Sequence, residues 1–543
     1  TVDGASSISG LISVNGGTLD VDAATTATSG VDIASGAMLN VNALTNLPTD
    51  TLDNPGLVTV AHNSGIDTAG ELHNESGGTI NFSGTSGISL DSDNSGGEIF
   101  RNDGSVVVNG IVVLAKDGGM SSGDLTNQGS GTIAVNTGVL DLGTLTNTST
   151  SASAIDVASG ATIDINTLLS SSAGTITAAG TLDGNVALTG AAGLDLNGGT
   201  ITGTLDNQST SAITLDGTVT GLFTQSTQVS TSTTIDGSST FTAGIDIDAG
   251  ILIVDAATTA DIDVAATATY DQNANVTGNV TTSSGNADIA GDITGTLTQT
   301  GGQVNIDGAS TIGGLITVTN GTMEVDAATT ASSGFSNNGS GVLNVNAALT
   351  LGQEIANQGQ LNLDANVLGG QEITNTGATT IASDITGNYV QNGGVAVTTV
   401  DGASSVSGGM DINGGTLTVN AATSSDIDVA AGATYDQNAA ITGNIVTASS
   451  NAAIGANITG TFTQTTGATN INGASTVSGA MQVNGGTIDI NASQTLTASS
   501  GLTIGDGAGN NATLIHNGTL LGDLTVNSGS TAQFFGDVTD TVT

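Results

Sequence analysis

Two pairs of aspartates, Asp261 with Asp263 and Asp426 with Asp428, have the spacing best suited to chemistry in this sequence. Both pairs fall in the phrase DIDVAA, and an i,i+2 spacing on a strand puts both carboxylates on one face. Clustered hard oxygens suit a calcium ion, so these four residues are the candidate metal ligands. The plainer reading of the same residues is a set of solvated acids with no specific metal. The glycine-rich calcium nonapeptide G-G-x-G-x-D is not met, because in GGTLD the fourth place is Leu19.

Other groups able to do chemistry are scarce. The histidines are His62, His73 and His516, the cations are Arg101 and Lys116, and cysteine is absent, so disulfides do not hold the fold. No Cys/His metal cluster can be drawn, and no Ser-His-Asp set stands out from the Ser and Asp background. Degradation of an acidic polysaccharide is the main catalytic alternative, but so acidic a surface would repel that substrate; hydrolysis of a neutral glycan by paired carboxylates is the second. Catalytic sites are singular, whereas these acids recur along the whole chain. The reading is therefore a protein that is not an enzyme, with no catalytic residue assigned.

Charge narrows the partners. There are 48 Asp and Glu against 2 Lys and Arg, a formal net charge of −46. Nucleic acid would be repelled by such a surface, so no nucleic-acid partner is expected. Few salt bridges can form. With 37% hydrophobic residues and a mean hydropathy of +0.17 there is still apolar material for a core. No run of about 18 apolar residues occurs, so no membrane-spanning segment is expected. The sequence starts at Thr1 without a charged-then-apolar leader, and a secretion signal is expected to have been removed or to lie outside it.

The elements that position these acids announce themselves by repetition. A tetrad of apolar, acid or amide, apolar, acid or amide recurs as LDVD (19–22), LNVN (39–42), IDIN (163–166), LDLN (194–197), MEVD (323–326), LNVN (343–346) and LNLD (361–364). Period-two alternation marks a strand with one buried and one wet face. Where copies are closest they begin at Leu19 and Leu39, at Met323 and Leu343, and at Leu343 and Leu361, so the interval is nearly constant. Gly, Asn, Ser and Thr fill the intervals, which is turn chemistry. Such a strand cannot bury its apolar face alone, and stacking successive coils does so. The expected fold is all-β, a right-handed parallel β-helix (β-solenoid) of roughly 20-residue coils. About 27 coils at a rung spacing near 4.8 Å would make a rod on the order of 130 Å. At −46 that is about one charge per 3 Å, within a factor of two of duplex DNA.

A longer period overlies the short one. IDGSSTFTAG from Ile235 returns as VDGASSVSGG from Val400, and TYDQNA moves from Thr269 to Thr434, an offset of 165 in both cases. The expected organisation is a β-solenoid over 1–234 with a divergent stretch at 44–120, one long copy over 235–399 and a partial second copy over 400–543. The divergent stretch holds Pro48, Pro55, His62, His73, Arg101 and Lys116. It is either a binding protrusion or a coil that has drifted. Joined tail to head, TDTVT and TVDGASS approximate the interior AVTTVDGASS at 396–405. A segment of a longer array, or a protomer that stacks end to end, would look this way.

A second phrase, apolar–spacer–Asn and often Gly, appears in LHNESGGTI (72–80), FRNDGSV (100–106), LTNQGSGTI (125–133), FSNNGSGVL (335–343) and IANQGQL (355–361). Asn and Gly tolerate the left-handed backbone of a corner, and stacked Asn side chains can bond along a ladder. These phrases and the GGTLDV strands resemble the passenger regions of bacterial autotransporters and filamentous-haemagglutinin-type adhesins. The resemblance implies a right-handed β-helix on a bacterial surface. The C-terminal membrane barrel of autotransporters has no match, since residues 500–543 hold only Phe534 and Phe535 as aromatics other than His516. The expected role is structural: a rigid acidic rod, secreted to a bacterial cell surface or extracellular matrix, in a surface layer, sheath or filament. It would self-associate end to end or laterally, with calcium assisting and no cofactor required. The alternatives are an adhesin that binds a host receptor or surface glycans and, less favoured, a β-helix polysaccharide-degrading enzyme.

Overall fold

An alternation of Leu, Ile or Val with Asp, Asn or Thr hides its apolar face here by winding. The computed structural model describes residues 1–543 apart from 48–50, 62–63, 69, 91–98, 117–120, 227–230 and 540, with backbone alone at 87–90, 116 and 121–122. Pro48, His62 and the Lys116 side chain thus lie outside the described residues. The chain forms two compact units, Thr1–Gly278 and Asn279–Thr543.

In the first unit, Ser6–Ile8, Ile12–Val14 and Thr18–Val21 pair in parallel with Thr25–Ala27, Val31–Ile33 and Met38–Val41 one coil later. The second unit repeats the arrangement. Thr423–Ser424, Ile427–Val429 and Ala433–Gln437 pair in parallel with Ile441–Thr442, Ile445–Thr447 and Asn451–Ile454. The fold is an all-β, right-handed parallel β-solenoid with coils of about 19–20 residues. It is the architecture that the alternating tetrads require, because each strand buries one face only when another rung covers it.

The interior is built from rows of like side chains. Ile163, Leu182, Ile201, Val219 and Phe241 succeed one another in register in the first unit, none more than 2% exposed. In the second, Ile289, Ile306, Val325, Val345, Leu363 and Ile381 do the same, all fully buried. Each such side chain contributes about 1.5–3 kcal/mol of burial. Tyr270, Tyr389 and Tyr435 also lie wholly inside, so the aromatics of the TYDQNA phrase are core residues. Burial holds the Tyr389 hydroxyl as the phenol, its pKa pushed up to about 12.

The Asn phrases turn inward. Asn54, Asn74, Asn102, Asn127 and Asn147 are fully buried, and each Nδ2 donates to the next Oδ1 at 2.7–2.8 Å. The same amides cross-link the coil by donating to the carbonyls of Thr79, Ser105, Thr132 and Ala154. Asn337, Asn357 and Asn375 repeat the ladder in the second unit. The ladder expected of stacked asparagines is present, but the left-handed corner is not theirs. Among the described residues Ser493 is the only non-glycine with positive φ. Glycines take that conformation instead, as at Gly138, with φ +83°. A Cβ on Gly138 would also lie 2.0 Å from the Gly110 carbonyl oxygen.

The coils widen in the divergent stretch. Leu72 pairs with Phe100 and Ser105 with Thr132, each pair spanning a longer coil than those at the start of the unit. Thr79–Leu90 and Ser105–Lys116 run for 12 residues each and pair in register throughout. An antiparallel turnback sets Ala115 opposite Ser122.

His516 is an exception inside the second unit. Its ring is fully buried against the edge of Phe534, 5.8 Å between centroids, and neither nitrogen has a hydrogen-bond partner among the described residues. Burial lowers its pKa, so it stays neutral. Two unpaired polar atoms in a dry site are a liability. His516→Leu is expected to raise stability by about 1–2 kcal/mol, read as a higher urea midpoint; a lower midpoint would mean that the imidazole has a partner.

Candidate functional site

The wet faces of the coils carry the acids in vertical rows, and register decides which acids meet. Asp261 and Asp426 sit exposed just ahead of strands Ile262–Val264 and Ile427–Val429; Asp263 and Asp428 lie exposed within them. The nearest like charge in the ladder comes from another coil: Asp246 stands in register with Asp263, and Asp411 with Asp428. Burial and then the charges of Asp248 and Asp263 raise the Asp246 pKa. Burial and then Asp411 raise that of Asp428. Asp426 is already engaged, its Oδ1 accepting from the Asn444 backbone N–H at 2.7 Å. A longer column, Asp141–Asp164–Asp183, spans three rungs, and burial followed by Asp141 and Asp183 raises the Asp164 pKa. The partners in these contacts lie a whole coil apart in sequence, so they can be found only once the coil length is known at each turn.

Elsewhere an amide separates the charges. Asn40 donates to Asp20 at 2.7 Å, Asn42 to Asp22 at 2.8 Å, and Asn344 to Glu324 at 2.7 Å. The acid-over-amide order of the tetrads thus fastens neighbouring coils from outside, as the Asn ladder does from inside.

A third outward row is made of threonine. Thr162, Thr181, Thr200, Thr218, Thr240, Thr259 and Thr277 occupy consecutive rungs in register. Uneven intervals hide this row in the sequence, the step from Thr218 to Thr240 being longer than that from Thr200 to Thr218.

The divergent stretch gathers the scarce residues. His73 lies in register with Asp53 on one side and Arg101 on the other. Its Nε2 is 2.9 Å from Asp103 Oδ2 and its Nδ1 is 3.8 Å from Asp53 Oδ1. Arg101 Nε turns to Glu71 Oε1 at 2.9 Å. Asp53, His73 and Glu75 each offer one ligand atom, all within 4.8 Å of one another. Among the described residues this is the group of three such side chains able to hold a metal ion. The second unit adds an open groove lined by Leu315, Phe335, Gln353, Glu354, Gln371 and Glu372.

Fold and surface together define a β-solenoid scaffold with acid, amide and threonine rows on its wet faces and, among the described residues, a mixed nitrogen–oxygen cluster in its widened coils. No family model, curated protein or solved structure matches the chain. Among the described residues no helix is long and apolar enough to cross a membrane.

Proposed function

We propose that the protein is a non-enzymatic structural component of a bacterial surface layer, sheath or filament, secreted and self-associating with the help of calcium. The observation that carries this reading is the succession of parallel rungs in each unit whose wet faces carry carboxylates in recurring rows. Rigidity follows from the paired rungs and the two hydrogen-bonded ladders. Association follows from charge: rows such as Asp141–Asp164–Asp183 repel like rows on another copy until divalent cations bridge them. The resemblance to autotransporter passengers and filamentous adhesins agrees with surface display. An adhesin presenting the groove of Glu354 and Glu372 to a glycan or host receptor is the alternative.

Electron microscopy and sedimentation of the purified chain distinguish the two. Ordered multimers are expected in millimolar calcium, dispersing when the cation is chelated. A chain that remains monomeric in both conditions defeats the assembly reading and leaves the adhesin.

A further inference from the structure

We infer that Asp53, His73 and Glu75 form a binding site for a divalent transition-metal ion of the zinc class, with Asp103 positioning the imidazole. The argument starts from the His73 ring. Asp103 Oδ2 lies 2.9 Å from Nε2 and also accepts a hydrogen bond from Gln128 Nε2 at 3.0 Å. A carboxylate accepts and does not donate, so the N–H of this contact is on Nε2, and Nδ1 is the ring atom turned to Asp53. In the metal-binding form of a ring held this way, Nδ1 offers its lone pair.

That lone pair faces Asp53 Oδ1 at 3.8 Å. The gap is too long for a hydrogen bond. The separation fits two ligands of one ion, since each would sit about 2.0–2.2 Å from zinc. Glu75, just past the strand Leu72–Asn74 that carries His73, brings the third ligand atom within 4.8 Å of the other two. Asp103 then plays the part of the outer carboxylate that fixes the tautomer of a metal-bound histidine. Arg101, one rung away, would oppose a cation, but its Nε is directed at Glu71.

Ligand chemistry selects the metal. Calcium takes oxygen ligands almost exclusively, whereas an imidazole with two carboxylates suits zinc and its neighbours. Three protein ligands leave a position open to water or to a group from another molecule. This site is independent of the calcium-bridged assembly proposed above, because the bridging rows are all carboxylate and lie on other coils.

The test is titration of the full chain with zinc chloride in about 150 mM salt containing excess calcium, which occupies the general acidic surface. One equivalent of zinc should bind and shift the ring signals of His73 in NMR while leaving those of His516 unchanged. His73→Gln should abolish that equivalent. Asp103→Asn, which removes no ligand, should weaken it about 10- to 100-fold. Circular dichroism checks that each variant keeps its β-structure. A zinc isotherm unchanged in His73→Gln, or no zinc bound in the presence of the excess calcium, overturns the assignment.

Discussion

Replacing Asn102 by leucine should cost the first unit about 3–5 kcal/mol. Asn102 accepts from Asn74 at 2.7 Å, donates to Asn127 at 2.7 Å and donates to the Thr132 carbonyl at 3.0 Å, all in a fully buried row. Leucine fills the space but leaves the Asn127 oxygen and the Thr132 carbonyl without their donor. Each buried group so stranded costs about 1–3 kcal/mol. Solenoids open locally as well as globally, so the readouts are the urea midpoint and amide exchange around Asn74, Asn102 and Asn127. The control is Asn136→Ala, which removes an exposed bond to Asn109 and should change stability by no more than about 0.5 kcal/mol. Equal effects of the two substitutions would mean that the inner ladder contributes nothing beyond packing.

Mild acid should stabilise this protein, the reverse of ordinary acid denaturation. The raised carboxylates are Asp164, Asp246, Asp288 and Asp428, each lifted first by burial and then by neighbouring aspartates. A group whose pKa is higher folded than unfolded takes up a proton on folding, so stability grows as pH falls through the folded value toward the ordinary 3.8. Two groups act oppositely. Asp103 and Asp506 are lowered, and their contribution is lost only as pH falls below 3.8. His516 also opposes, because a buried neutral imidazole loses ground as pH drops below 6.5. With a formal charge of −46 behind the raised group, the melting temperature is expected to rise by several degrees between pH 7 and pH 4.5 and to fall again below pH 3.5. His516→Leu should enlarge the rise. At pH 7, calcium or high salt should reproduce part of it by screening. A melting temperature that falls steadily from pH 7 downward would show that carboxylate repulsion is not what limits the fold.

Much of the architecture is readable because a two-residue alternation and a nearly constant coil length are both properties of the chain alone. LDVD over LNVN implies Asp20 beneath Asn40, and the structure joins them. Contacts among acids are not readable to the same degree. Asp263 meets Asp246 across a short coil, while Asp164 meets Asp141 across a long one. Small changes in corner length slide the register, so the DIDVAA pairs are visible as pairs but not with their partners from the next rung. The His73 cluster is hidden for the same reason. Asp53, His73 and Asp103 come from three different coils, and only the widened coils bring them together. The Asn phrases are legible as ladder-forming, yet their second duty, cross-linking the coil interior to its own backbone, depends on side chains pointing inward.

Register can be tested with the chain's own lack of cysteine. Thr200, Thr218 and Thr240 occupy successive outward rungs, so neighbours should be about 4.8 Å apart and next-neighbours about twice that. A disulfide needs Cα atoms within about 7 Å. The double variant Thr200→Cys/Thr218→Cys should therefore oxidise to an intramolecular disulfide in the folded protein, and Thr200→Cys/Thr240→Cys should not. Efficient closure of the second pair, or failure of the first while the protein remains folded, would contradict the stacked parallel rungs on which every other conclusion stands.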